Sequence, residues 1–310
     1  MHASRSARRT RRALAALTAA GAALTAWSTA SPASASTGSD TVGDARVVCT
    51  SDRPGLAPAL SHDIADALQG RRGTSAVALY DRPSGTSCEF QAGTSFDSAS
   101  VVKVTVLGTL LRQAEEAHRT LTAHEVALTT AMITKSDNAS TDALWHQVGR
   151  PAVQHFLDLA DMRHTVPGPG GAWGLTQITA ADQLTLLRLL STDNAVLSAA
   201  SRDYALDLMQ KVVPEQRWGA PAGAPASATA HLKNGWLSRA HQGWRVHSVG
   251  VFRGSGNDYA MALLSTGSDT MDYGVATVEA AAKVIHRDLA GTADHQGAAA
   301  GTTPTEASGA

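Results

Sequence analysis

Apolar positions fall first into helical spacing, then into alternating runs, and then repeat that order along the chain. In residues 60–69, Leu60, Ile64 and Leu68 recur every fourth position, which predicts a helix with one buried side. Residues 75–81 (SAVALYD) and 87–91 (SCEFQ) flank the turn residues Arg82-Pro83-Ser84-Gly85 and read as two strands. Residues 100–117 begin with valines that suit a strand, but their length and leucine-rich continuation decide for a helix. That helix is apolar nearly all round at its start, so it should lie buried between layers. Helical patterns then cover 123–135, 139–148, 151–159, 180–190 and 198–213. Strand patterns return at 229–234, 243–253 and 259–266, and a helix over 273–289 closes the series.

This order predicts an α/β (α+β) fold. An antiparallel sheet takes strands from both ends of the chain, terminal helices cover it, and an all-helical lobe is inserted. The sheet lobe should hold about residues 45–99 and 220–289, and the helical lobe about 100–219. No internal repeat is visible.

The two ends of the 310-residue chain look unlike the rest. Arg5, Arg8, Arg9, Arg11 and Arg12 precede an apolar run from Ala13 to Trp27, and Ala33-Ser34-Ala35 offers a small-x-small cleavage site. That is the order of a secretory signal peptide, expected over residues 1–35, with a loose resemblance to a twin-arginine signal at Thr10 to Leu14. No cysteine lies near the cut, which argues against a lipid anchor there. Residues 290–310 are mostly Ala, Gly, Thr, Ser and Pro and are expected to form a disordered tail. The domain should therefore span 36–289, a length that supports one large core or two interlocked lobes.

Without the leader, 21 basic residues face 27 acids, a formal charge of −6, and nothing points to a nucleic-acid partner. The two cysteines, Cys49 and Cys88, are expected to form a disulfide in an exported protein. Twelve histidines show no ligand spacing, so no metal and no cofactor is assigned. The protein is expected to act as a monomer.

Only five lysines stand against 21 arginines, and two of them sit in motifs that carry candidate chemistry. Lysine can shed its proton when desolvated, and arginine effectively cannot. Ser100-Val101-Val102-Lys103 places a hydroxyl and an amine three residues apart at the start of the buried helix. Val102, Val104 and Val106 would desolvate Lys103 and favour the neutral base, and the helix start offers free N–H groups for an oxyanion. An N-cap serine with a snorkelling lysine would look the same. Ser136-Asp137-Asn138 falls between two helices, where these residues also serve as caps. Lys233-Asn234-Gly235 lies on a returning strand, followed by Trp236, and a solvent-facing lysine before a turn is the plain alternative.

Taken together, S-x-x-K, then S-D-N, then K-x-G, each on its proper element, resemble the set found in class A β-lactamases and penicillin-binding serine hydrolases, over about residues 45 to 289. The resemblance implies that Ser100 is the acylated nucleophile, Lys103 its base and Ser136 a proton relay to the leaving group. It makes Asn138 a substrate and lysine contact and turns Lys233 toward a substrate carboxylate. The N–H groups of Ser100 and Trp236 would form the oxyanion hole, Gly235 would admit the substrate backbone, and Asn234 would stand where the family has a hydroxyl. Asp137 is expected to be structural.

Two further departures bear on function. The stretch between Lys103 and Ser136 is short for the family, which should open the cleft. From Arg163 to Ala181 the chain reads RHTVPGPGGAWGLTQITAA, without the glutamate that activates the deacylating water in class A enzymes. Gln177 and His164 are the remaining candidates there. The expected function is an exported hydrolase forming an acyl-enzyme on Ser100 with a β-lactam or related amide or ester and releasing it slowly. A peptidoglycan D,D-carboxypeptidase and a non-catalytic ligand-binding relative are the alternatives.

Overall fold

The structure is a computed structural model that describes residues 35–299, with side chains described for residues 35–291. The expected leader, save its last position, and residues 300–310 of the expected tail lie outside the described residues.

The described chain opens on a hairpin that the apolar pattern did not predict, β1 (Ser36–Val42) and β2 (Ala45–Ser51). Its two-residue turn begins with Gly43 at φ 58°, the left-handed geometry that a first-position glycine supplies in a tight hairpin. Helix α1 (Leu56–Leu68) follows, then β3 (Thr74–Asp81), β4 (Thr86–Phe90) and the two-residue β5 (Phe96–Asp97). The buried helix α2 (Val102–Glu116) starts two residues after Ser100, which itself lies in a 3₁₀ turn.

Helix α3 (Ala123–Thr134) is started by a capping box, in which Thr122 and Glu125 each accept the other's backbone N–H. Next come α4 (Asn138–Val148), α5 (Arg150–Leu159), the short β6 (Gln177–Ile178), α6 (Ala180–Ser191) and α7 (Ala199–Gln210). The chain returns through β7 (Thr229–Arg239), β8 (Gly243–Gly254) and β9 (Asn257–Ser268). Helix α8 (Met271–Ala299) runs ten residues past the expected stop at Leu289, through a stretch whose alanines favour a helix.

The main sheet has seven strands in the order β1-β2-β4-β3-β9-β8-β7, every pair antiparallel, so the expected fold class holds. Strand alternation assigns its two faces. On β9, Ala260, Ala262 and Leu264 join the core shared with the helices of the inserted lobe, while Tyr259, Met261 and Leu263 join the core under α1 and α8. Alanines 76, 78, 260 and 262 keep the first face shallow beside Val102, Val106 and Leu110 of α2. Cys49 and Cys88 stand directly opposite each other on β2 and β4, their Cα atoms 4.1 Å apart, and form the expected disulfide.

Candidate active site

The site is built where the chain crosses between sheet and helices. Ser98, Ala99 and Ser100 connect β5 to α2, and they are held from both sides. Ser98 N donates to Thr176 O at 2.8 Å, and the Ser98 hydroxyl donates to Trp173 O at 3.3 Å. Ala99 sits at φ 46°, a left-handed conformation that costs a non-glycine residue about 1 kcal/mol or more. On the other side β7, an outer strand of the sheet, lies against the turn. A Cβ at Gly235 would fall 2.8 Å from Ser100 N and 2.9 Å from Val101 N, so only glycine lets the strand approach. This explains the glycine of the third motif, and it sets Ser100 beside the β7 edge that carries Trp236.

Lys103 follows one turn later and is fully buried. Its Nζ donates to Ser136 O at 2.6 Å, Ser136 Oγ at 3.0 Å and Asn138 Oδ1 at 2.8 Å. Burial pushes its pKa down from 10.5 to about 8, against the pull of Asp137 and then Asp142 in the opposite direction. Lys233 is also fully buried, and its Nζ donates to Ser136 Oγ at 3.0 Å and to Asn234 O at 2.9 Å. Burial first, and the charge of Lys103 second, hold its pKa well below the usual lysine value. One hydroxyl thus bridges two amines that both give up their protons more readily than an ordinary lysine. Ser136 reaches that position at φ 58°, a second left-handed residue in the site. Within the same motif Asp137 accepts Ser140 N at 2.7 Å and caps α4. Capping therefore falls to Asp137, while Ser136 and Asn138 face Lys103.

Asn234 departs from its expected place. It is fully buried, and its Nδ2 donates to Gln216 O at 2.8 Å and Trp218 O at 2.9 Å, which commits both donors to the chain. Its Oδ1 is buried without a hydrogen-bond partner. The amide pins the 216–218 segment, where Trp218 packs against Trp236 with ring centroids 5.9 Å apart. A hydroxyl has a single O–H to donate and could not hold both carbonyls, so the amide makes position 234 an anchor for this loop.

Three residues here escaped the sequence pattern. The Trp173 ring covers Lys103 Nζ at 4.8 Å, and its Nε1 donates to Asp142 Oδ1 at 2.7 Å. The ring therefore stands against Lys103 from the 163–181 loop, which carries no carboxylate. Asp142 lies four residues after Asn138 on α4, a spacing that would have placed it on the same face. Near the Ser100 turn, the fully buried His247 stands opposite Gly235 in the β7–β8 register. It accepts Ser265 N on Nδ1 at 3.3 Å and donates from Nε2 to Asp97 O at 2.9 Å. Nothing distinguished it from the other histidines in the sequence.

The two candidates for a deacylating base are occupied elsewhere. Gln177 donates to Asp97 Oδ1 at 2.8 Å and accepts from the Ser95 hydroxyl at 3.1 Å, so it ties the loop to β5. His164 is exposed, with Nδ1 3.6 Å from Asp182. Among the described residues no group of three His, Cys, Asp or Glu side chains is placed to hold a metal ion.

Residues 125–289, more than half of the chain, match the model of the beta-lactamase enzyme family, and the chain belongs to that family. The match takes in Ser136 and Lys233, while Ser100 and Lys103 precede it. Among curated proteins the chain is 26% identical over 199 residues to the putative lipoprotein LppW of Mycobacterium tuberculosis H37Rv, covering 62% of this chain. It spans 63% of the length of that relative. Among solved structures it is similar to PBP-A, with a TM-score of 0.67 at 20% identity over 75% of this chain and 96% of that one. A class A beta-lactamase from Bacteroides cellulosilyticus gives 0.66 at 16% identity, over 76% and 99%. These structural likenesses establish the class A beta-lactamase fold.

Proposed function

We propose that the protein is an exported serine hydrolase that forms an acyl-enzyme on Ser100 with an amide or ester acyl donor, β-lactams included, and releases it slowly. The observation that carries this reading is the Ser136 hydroxyl held 3.0 Å from both Lys103 and Lys233 beside the Ser100 turn. Such a bridge provides what acylation needs after nucleophilic attack, a path that returns the nucleophile's proton to the leaving group.

In the proposed step neutral Lys103 takes the proton of Ser100, and Ser100 Oγ forms a bond to the carbonyl carbon. The Ser100 and Trp236 N–H groups receive the negative oxygen. As the carbon–leaving-group bond breaks, Ser136 gives its proton to the leaving atom and is reprotonated from the lysine side. Water then hydrolyses the ester. The side chains on the 163–181 loop include no carboxylate to activate that water, which is the support for slow release. Export is supported by the leader-like residues 1–35, and by a disulfide that takes up both cysteines of the chain.

Labelling of the purified protein by a fluorophosphonate and by benzylpenicillin tests the reading. Ser100→Ala should abolish both adducts, and Lys103→Arg should nearly do so, because arginine keeps the charge but cannot act as the base. Labelling of Ser100→Ala at the wild-type rate would overturn the assignment. Parallel assays with a chromogenic cephalosporin and a D-Ala-D-Ala peptide separate lactam hydrolysis from peptidase activity.

A further inference from the structure

Resting on acylation at Ser100 with Lys103 as its base, we propose that Asp142 is a positioning residue for that step. It acts through the Trp173 indole, which steadies the ammonium that Lys103 becomes on taking the Ser100 proton. A nucleophile and its base work best with a third group that orients the base and supports its charge.

The proton transfer creates a charge where burial disfavours one. The Ser100 O–H bond breaks, an N–H bond forms on Nζ, and the fully buried amine becomes a cation. A neutral amine has two N–H groups for the three acceptors around it, and the ammonium has three. Ser136 O, Ser136 Oγ and Asn138 Oδ1 are all served only in the charged form. The Trp173 ring, 4.8 Å from Nζ, adds a face that attracts a cation.

Asp142 controls that ring. Asn138 and Asp142 are one helical turn apart on α4, so one helix face serves the amine both directly and through the indole. The Trp173 main chain is fixed independently, its carbonyl accepting from the Ser98 hydroxyl at 3.3 Å and from Thr176 N at 3.0 Å. What remains is the rotation of the ring about its own bonds, and the Nε1 bond to Asp142 Oδ1 at 2.7 Å sets it. A hydrogen bond to a carboxylate is stronger than one to a neutral acceptor, and it polarises the indole so that its face is more negative toward a cation.

Among the described residues, the carboxylates that act on Lys103 are Asp137 and Asp142. Lys233 approaches from β7 through the shared Ser136 hydroxyl, and Lys135 acts on Asp137. Asp137 is committed to the cap of α4. Asp142 is exposed, so its direct field is screened by solvent. A ring bound to Asp142 and facing Lys103 carries its influence inward.

The test is the fluorophosphonate labelling rate of the purified protein as a function of pH. Asp142→Asn keeps an oxygen for the indole N–H and removes the charge. A carboxylate near an ammonium raises its pKa, so this variant should reach half its maximal rate roughly half a pH unit below the wild type. Asp142→Ala removes the acceptor as well, and its rate on the high-pH plateau should fall about tenfold. Trp173→Phe keeps a ring without the N–H, and adding Asp142→Ala to it should cost no further plateau rate, since the carboxylate then has no indole to hold. Asp203→Asn, which removes an exposed carboxylate on α7, should leave the profile as it is. An unchanged midpoint and plateau in Asp142→Ala overturn the proposal, as does a full second loss in the double variant. Both outcomes leave the acyl-enzyme reading standing as long as Ser100→Ala is not labelled. If the wild type is labelled at no pH, that reading has failed and the proposal falls with it. Should Asp142→Ala not fold, the midpoint of Asp142→Asn decides alone.

Discussion

Lys103 is asked to be both hydrogen-bonded and free of its proton. Three acceptors at 2.6–3.0 Å hold the amine in place, and the Trp173 ring adds an attraction of about 1 kcal/mol for the charged form. Burial wins over both and brings the pKa to about 8. The base is therefore mostly protonated at neutral pH, and acylation should rise with pH through about 8 and level off above it. Measured as fluorophosphonate labelling rate against pH, a profile already flat between pH 6 and 9 would remove Lys103 as the base. At this scale the sequence was informative wherever spacing decides contact. Ser136 and Asn138, two residues apart, both reach Lys103. It was uninformative for Asn234, because a strand position does not say which loop folds over it. Here the 216–218 segment does so, and its carbonyls capture the amide.

The loop between α5 and α6 shows what an element can withhold. It turns the indole ring of Trp173 to Lys103 at 4.8 Å and carries no carboxylate side chain between residues 163 and 181. General-base help is worth about 10²–10⁴-fold, and without it a penicilloyl ester on Ser100 should persist for minutes in intact-mass spectra. Trp173→Glu sets a carboxylate where the ring now stands. It should shorten the adduct's life by about 10²-fold while acylation continues. An unchanged lifetime in the folded variant would mean that the loop does not control release, as would rapid turnover by the wild type. Elements were legible where apolar residues repeat, as in α2 or β9. They were not legible where sheet edges need few of them. Strand β1 carries Val42 as its one large apolar residue, so no alternation could be read there. The start of α2 was misplaced by two residues because a 3₁₀ turn uses the same apolar spacing over so short a length.

Across the whole molecule, His247 couples the sheet to the turn that carries Ser100. From its place on β8 it reaches Asp97 O on β5, two residues before Ala99, and its ring meets Phe96 edge-on at 5.8 Å. Both hydrogen bonds require the neutral ring with its proton on Nε2, since Nδ1 must accept from Ser265. Burial accordingly holds the pKa down at about 4, from 6.5. The unfolded chain therefore binds this proton at a higher pH than the folded one does. The stabilisation is complete above pH 6.5 and is lost as pH falls toward 4. Between pH 7 and 4.5 this one group should remove about 2 kcal/mol from the unfolding free energy. Burial lowers His231 and His286 as well, so they add to the same acid decline, and the contribution of His247 has to be isolated by difference. Urea titrations of wild type and His247→Gln at both pH values provide that difference. The variant starts less stable, but it should lose about 2 kcal/mol less on acidification, and its Ser100 labelling should be slower at pH 7 because the turn has lost its tie to β8. Equal losses in the two proteins would mean that His247 titrates alike in the folded and unfolded chain, contrary to its burial between the sheet and the site.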